Sequence, residues 1–380
     1  MNTRELIIKE LRADKVLRVY PHVGGGWFWS KYSASPYLGC QCGCTYCFLR
    51  ESSYGMTVKN SESTHLADSF SQYIRVITNA AELLDQELQG MPKDIIVTGD
   101  YQPLDARFRL SRALLQTCLN HGFPTAVVSK SPGVVRDLDL VCEIGRKSWA
   151  CLAFSIGSLQ SDGYGKMFEP YAPSIESRFR AMRRASDAGI YVGTALIPVL
   201  PFITDTDDNL AMIVKRTRDS GGQFVLAGGL VLGADLYTDF YRSVEQIGGS
   251  ALVNKYQQLY KGSHSPIDNS WARLGRTVRE LCERFDLEYR IRRFIPNDGL
   301  AENKRLAERL FLKIYELELN EVHDSQISEC RNLAWMIDES TTPTTEQSFR
   351  EAIGLFGLNE DIITELESVE KTGDRNVFRP

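Results

Sequence analysis

The chain has 380 residues, 43% hydrophobic and 24% charged, with 44 basic and 49 acidic side chains and a net charge of −5. This is the composition of an ordinary folded protein with a sizeable core. It excludes a global basic field for nucleic acid, so any such binding would need a local patch. No apolar run approaches the roughly 18 residues that a membrane-spanning helix needs.

Residues 1–32 read as an N-terminal arm. Met1, Asn2, Thr3, Arg4 and Glu5 lack the basic-then-apolar pattern of a secretory signal, and the expected location is cytoplasmic. Within the arm, Gly24, Gly25, Gly26, Trp27, Phe28 and Trp29 would either wall a pocket or pack onto the core, and we read them as packing. Residues 33–38 read as a strand entering a cysteine-rich loop. Residues 70–88 carry apolar side chains near helical spacing and predict a helix. Short apolar, β-branched runs at 95–97, 126–128, 151–156, 190–197 and 224–227 predict buried strands. Amphipathic stretches at 107–119, 175–188 and 209–218 predict helices between them. Strands alternating with helices imply a parallel sheet with right-handed crossovers, in about six βα units over residues 33–235. Catalytic groups then belong at the carboxyl ends of the strands. Over residues 236–380 the strand signals fade. Helices are expected at 251–260, 271–285, 299–319 and 346–356, with a loose tail from Lys371.

Four of the nine cysteines fall between Cys40 and Cys47. The odd count and uneven spacing do not suit a secreted disulfide framework. The other five (Cys118, Cys142, Cys151, Cys282, Cys330) read as small buried hydrophobes. Cys40, Cys44 and Cys47 have the spacing CxxxCxxC, three thiolates in one loop, as a cubane iron–sulfur cluster needs. Gly39 and Gly43 let the chain turn tightly around a bulky cofactor. Three ligands leave one iron open to a small molecule. Cys42 falls outside this spacing and receives no ligand role. A zinc site would need a second cysteine or histidine pair at finger spacing, and His22 and His65 are the nearest histidines. A redox pair of Cys44 and Cys47 would leave Cys40 unexplained.

CxxxCxxC with Tyr46 before the last cysteine resembles the signature of radical S-adenosylmethionine (SAM) enzymes. The likeness continues through Ser35–Cys40, Asp100–Asp105, Ser129–Ser131 with Arg136–Leu140, Phe154–Ile156, Phe168–Ser174 and Ala188–Pro201, segments similar to those of the spore photoproduct lyase-like branch. The resemblance implies an α/β fold, a partial (β/α)6 barrel with an additional mostly helical C-terminal region. It also implies one [4Fe–4S] cluster on Cys40, Cys44 and Cys47, with SAM chelated at the open iron and cleaved reductively to a 5′-deoxyadenosyl radical that abstracts hydrogen from a substrate. A flavodoxin- or ferredoxin-type electron donor is the partner it implies.

By the same resemblance the backbone near Tyr46 and Phe48 meets the adenine. Thr98, Gly99 and Asp100 follow the second strand, where Asp100 would accept from the SAM ammonium. Lys130 would meet the SAM carboxylate, and Ser155 the ribose. Each has a structural alternative: Asp100 as a cap, Lys130 as a solvated charge, Ser155 as a partner for backbone. Arg136 and Arg178 are further candidates, although amphipathic helices ordinarily carry solvated arginines.

The substrate is less legible. Spore photoproduct lyases carry a hydrogen-donating cysteine shortly after the second strand, but residues 97–102 contain none. Tyr101 is then the candidate radical carrier. Repair of thymine lesions in DNA stands as one alternative. Modification of a nucleoside, peptide or small metabolite, or a non-catalytic iron–sulfur or zinc protein, are others. Tyr289, Arg290, Ile291, Arg292, Arg293 and Phe294 would either stack bases or form an amphipathic edge, and we read them as an edge. His264 and His323 read as structural. No auxiliary cluster is expected.

Overall fold

The β-branched runs bury both faces of their strands, and a computed structural model of the protein lays them side by side. It describes residues 6–24, 28–50, 70–159, 161–233, 237–321 and 325–345, with residues 349 and 351. In chain order the first elements are β1 (Ile7–Leu11), β2 (Leu17–Val19), β3 (Ser30–Ala34), β4 (Tyr37–Leu38), β5 (Tyr73–Ile77), α1 (Ala80–Glu87), β6 (Ile95–Thr98), α2 (Asp105–Phe108) and α3 (Leu110–His121). Then come β7 (Thr125–Ser129), α4 (Leu138–Lys147), β8 (Ala150–Ser155), α5 (Ile175–Asp187), β9 (Val192–Val199), α6 (Asp207–Asp219) and β10 (Phe224–Gly229). The last are α7 (Tyr237–Tyr260), α8 (Ser270–Arg284), α9 (Ala301–Leu319) and α10 (Ser325–Glu339).

The larger sheet has the order β10-β9-β8-β7-β6-β3-β2. Strands β6 to β10 pair parallel throughout, and β2 closes the edge antiparallel to β3. Helices follow the parallel strands, as right-handed crossovers require. This is the expected α/β fold with additional C-terminal helices. The carboxyl ends of β6, β7 and β8 bring Thr98, Ser129 and Ser155 to one edge of the sheet.

The helix expected over residues 70–88 is instead a strand followed by a helix. Ile74 and Val76 are fully buried while Tyr73 and Arg75 are partly exposed, an alternation of period two. Ile74 and Ile77 also stand three apart, which mimics helical spacing. Thr78 and Asn79 make the break: the Thr78 N–H donates to Leu11 O (2.9 Å), and the Asn79 side chain bonds both the N–H and the C=O of Ala13. The strand expected over 33–38 is two strands, β3 in the large sheet and β4 in a small sheet of order β1-β5-β4. Pro36, which cannot donate to a ladder, sits at the switch. The stretch 107–119 breaks at Arg109, whose φ is 53°. Helices α4 and α10 went unread in the sequence. The expected helix over 346–356, apart from the helical residues 349 and 351, the tail from Lys371, His65, His323, Trp27 and residues 1–5 lie outside the described residues.

The chain divides into two compact units: Met1–Val19 with Tyr32–Tyr289, and Tyr20–Lys31 with Arg290–Pro380. The division falls at 289/290 rather than at 235/236, so α7 and α8 belong with the parallel sheet. The arm is divided as well, because β1 pairs with β5 in the register Ile7↔Tyr73.

In the second unit Trp29 is fully buried, donates from Nε1 to Ile291 O (2.7 Å) and meets the Phe311 ring edge-on at 5.9 Å. Arg293 and Lys304 both pair with the buried Asp338, and Arg290 lies 3.2 Å over the Tyr315 ring. Arg290 and Arg293 are thus buried within the unit rather than on a solvated edge. Among the described residues no helix is long and apolar enough to cross a membrane.

Candidate functional site

The cysteine loop runs from Gly39 to Arg50 and is folded by its own short turns. Gly43 N–H donates to Cys40 O, Cys47 N–H to Cys44 O and Arg50 N–H to Cys47 O. Gly39 has a φ of 93°, and a Cβ there would stand 2.7 Å from Tyr73 O, so only glycine fits. Arg50 is buried and ties the loop from below: Nε donates to Cys44 O (2.8 Å), Nη2 to Gly43 O (3.2 Å), and Nη1 pairs with Asp239 (3.0 Å). The segment after Phe168 straps the other side. Thr45 N–H donates to Phe168 O, and Tyr171 N–H to Cys42 O.

Cys40, Cys44 and Cys47 all carry free thiols and border one apolar cluster with Cys42, Tyr46, Tyr164 and Phe168. Among the described residues no three His, Cys, Asp or Glu side chains converge on a single ion. A cubane does not need that convergence, because each thiolate takes a separate iron corner. Burial pushes the Cys44 and Cys47 thiols up, and a hydrogen bond with Cys42 followed by burial does so for Cys40. Ligation by iron must therefore displace protons.

Lys130, just beyond β7, gathers the other groups. Its Nζ donates to Ser155 Oγ (2.6 Å), Glu169 Oε1 (3.0 Å) and Tyr46 Oη (3.1 Å). Tyr46 Oη donates to the same Glu169 carboxylate, and Tyr164 Oη lies 3.2 Å from Tyr46 Oη. Arg178 lies on α5, whose N-terminus Ser174 caps by accepting from Ser177 N–H. It pairs with Glu169 (2.5 Å) and donates to Ser155 O (2.8 Å) and Pro173 O. Burial alone would raise the Glu169 carboxyl; Lys130 and Arg178 outweigh it and hold it at about 2.

The structure thus brings Tyr46, Lys130 and Ser155 together. Phe48 is 53% exposed, its side chain outside this cluster. Thr98 and Gly99 end β6. A Cβ at Gly99 (φ 150°) would stand 1.9 Å from Val128 O, so the strand end lies flush against β7. Asp100 is half-buried. Burial pushes its carboxyl up to about 6, with the Asp105 charge adding and Ser35 opposing. Tyr101 is not in the cysteine site: it is buried in the sheet core, 5.3 Å below the Arg136 guanidinium. Arg136 pairs with Asp105 and Asp137 in that same buried ionic group.

Sequence reasoning named Arg178 only as a secondary candidate and missed Glu169, Tyr164 and Arg50. Glu169 stood inside a quoted motif, but nothing in the spacing says that it meets a lysine 39 residues upstream.

The residues present fit the implied cofactors. Thr98 Oγ1 and Thr45 Oγ1 are buried without a hydrogen-bond partner, an expense in free energy that a bound polar ligand would relieve. Thr45 stands in the cysteine loop itself, between Cys44 and Tyr46, and Thr98 ends β6.

The profile of the Radical SAM superfamily matches residues 34–213. An uncharacterized protein of Mycobacterium tuberculosis is 23% identical over 237 residues, covering 61% of this chain and 67% of that one. An uncharacterized protein of Methanocaldococcus jannaschii is 25% identical over 213 residues, covering 54% and 73%. Among solved structures, a spore photoproduct lyase variant with bound AdoMet and dinucleoside spore photoproduct superposes with a TM-score of 0.53. It covers 74% of this chain and 79% of that one at 16% identity, a likeness of fold.

Proposed function

We propose that this chain is a radical SAM enzyme, on the match of the superfamily profile to residues 34–213, and that Cys40, Cys44 and Cys47 hold one [4Fe–4S] cluster beside a SAM site formed by Thr98–Asp100, Lys130 and Ser155. When bound, these groups supply reductive cleavage of SAM to methionine and a 5′-deoxyadenosyl radical that takes hydrogen from the substrate. The protein's own residues do the rest. Lys130 offers an ammonium to the SAM carboxylate. Asp100 accepts from the SAM ammonium. Ser155 bonds the ribose, and the backbone near Tyr46 and Phe48 meets the adenine. Glu169 holds Lys130 and Arg178 in place until the ligand arrives, and the apolar wall of Tyr46, Tyr164 and Phe168 excludes water. One observation carries the reading: Lys130 reaches from β7 to the cysteine loop and to β8 at once. A flavodoxin- or ferredoxin-type protein is the proposed electron donor.

The test is anaerobic reconstitution with iron and sulfide, then dithionite and SAM, with 5′-deoxyadenosine read by mass spectrometry. Wild-type protein yields product and Cys44→Ala yields none. No product from a chain with an intact cluster would overturn the catalytic reading. An arm with ultraviolet-irradiated DNA separates substrates: a DNA-dependent rise with restored thymines would assign lesion repair, and no rise directs the search to nucleosides, peptides or metabolites.

A further inference from the structure

The loop between β6 and α2, residues 99–104, is bolted to the cysteine loop by two glutamines. Gln102 is 5% exposed. Its Oε1 accepts from Gln41 N–H (2.9 Å), and its Nε2 donates to Gly39 O (3.3 Å). Gln41 returns the contact, its Oε1 accepting from Leu104 N–H (2.6 Å). The bonded backbone groups of Gly39 and Gln41 flank Cys40 on both sides. Asp100 stands two residues before Gln102, and its carbonyl accepts from Ser111 Oγ (3.2 Å). At the far end the Asp105 carboxylate accepts from Tyr37 Oη (2.6 Å) and Ser111 N–H (3.0 Å) and pairs with Arg136. The loop is therefore fixed from beneath, and it passes that position to the cysteines.

We propose that Gln41 and Gln102 form a two-way amide clamp that sets Cys40 against Asp100, making Gln102 a positioning residue for the cofactor site. The inference rests on the reading of Cys40 as a cluster ligand and of Asp100 as the acceptor for the SAM ammonium. The side-chain chemistry is restrictive. A neutral amide at the end of this side chain accepts from an N–H and donates to a C=O at once, on opposite sides of one residue. Glutamate keeps the acceptor and turns a lone pair on Gly39 O. Asparagine is a methylene short. Methionine fills the space and leaves two part-buried backbone groups without these bonds. The amino group and carboxylate of SAM would bind next to an iron held by Cys40 and a carboxylate held by the β6 loop. A shift between the two loops therefore misaligns both contacts.

The test uses Gln102→Met and Gln102→Glu with the full chain. In the cofactor-free protein, hydrogen–deuterium exchange is followed in the peptide spanning residues 39–47 and in a control peptide from β8. The clamp predicts exchange about tenfold faster in the cysteine peptide of Gln102→Met, an unchanged control, and an intermediate effect for Gln102→Glu. In the reconstituted protein it predicts unchanged iron content and about tenfold weaker SAM binding, read from the SAM-dependent change in the cluster's electron paramagnetic resonance spectrum. Wild-type exchange in the cysteine peptide overturns the clamp, and so does faster exchange with SAM affinity intact. A general loss of protection with a large fall in Tm would assign Gln102 a merely structural role and also overturn it. If wild-type protein holds no cluster, the reading of the cysteines falls by itself, and exchange in the cofactor-free chain then decides the clamp alone.

Discussion

Asp100, half-buried, and Glu169, buried, are two carboxyls driven in opposite directions. Glu169 is held at about 2 because Lys130 and Arg178 outweigh its desolvation. A depressed carboxyl stabilises the fold fully above its unfolded pKa and loses that contribution as pH falls through the folded value. Glu169→Gln should therefore cost about 3 kcal/mol at pH 7, and urea unfolding should show the difference from wild type narrowing as pH falls from about 4.5 to 2. Asp100 is raised to about 6, chiefly by burial, and has the reverse sign. The folded state favours its protonated form, so its contribution is complete below the unfolded pKa and lost as pH rises through about 6. Asp100→Asn should stabilise the cofactor-free chain at pH 7 by up to about 3 kcal/mol and leave it unchanged near pH 3. The same substitution removes the acceptor proposed for SAM. In wild-type protein SAM affinity should rise between pH 5 and 7 with a midpoint near 6, and in the Asn variant titrations should be flat. These residues show the limit of spacing as a guide. Asp100 and Lys130 were legible through the family resemblance, whose motifs place them just after strand runs. Glu169 was not, because its partners come from β7, α5 and the cysteine loop.

At the scale of elements, the strand ends carry the site and glycine sets how closely they approach. The Gly99 Cβ position collides with Val128 O, so Gly99→Ala should force β6 from β7 and lower Tm by 10 °C or more, on the order of several kcal/mol. Helix caps are weaker levers. Thr206 Oγ1 accepts from Asn209 N–H at the start of α6, and Thr206→Ala should cost about 1 kcal/mol by urea unfolding with no effect on SAM binding. The parallel strands were readable because a strand buried on both faces is an uninterrupted apolar run. β5 was misread because Ile74 and Ile77 satisfy helical and strand spacing together. Its strand identity comes from β1 and β4, which pair with it on either side.

For the whole molecule, a group that binds only the folded chain adds to its stability by mass action. Anaerobic calorimetry should show a higher Tm for the reconstituted wild type than for its cofactor-free form, and no such shift for Cys44→Ala, because a cluster ligand absent from the loop removes the linkage between binding and folding. By itself the sequence determined the α/β class, the alternation of strands and helices and the three-cysteine loop, because each is written in local periodicity or short spacing. Tertiary structure alone decided the meeting of Lys130 with Glu169 and Arg178, the Gln41–Gln102 clamp, the removal of Tyr101 into the core and the division of the chain at 289/290. Those depend on groups tens of residues apart being brought within hydrogen-bond reach, and the free energy that selects such pairs is desolvation, which exists only once the chain has closed around them.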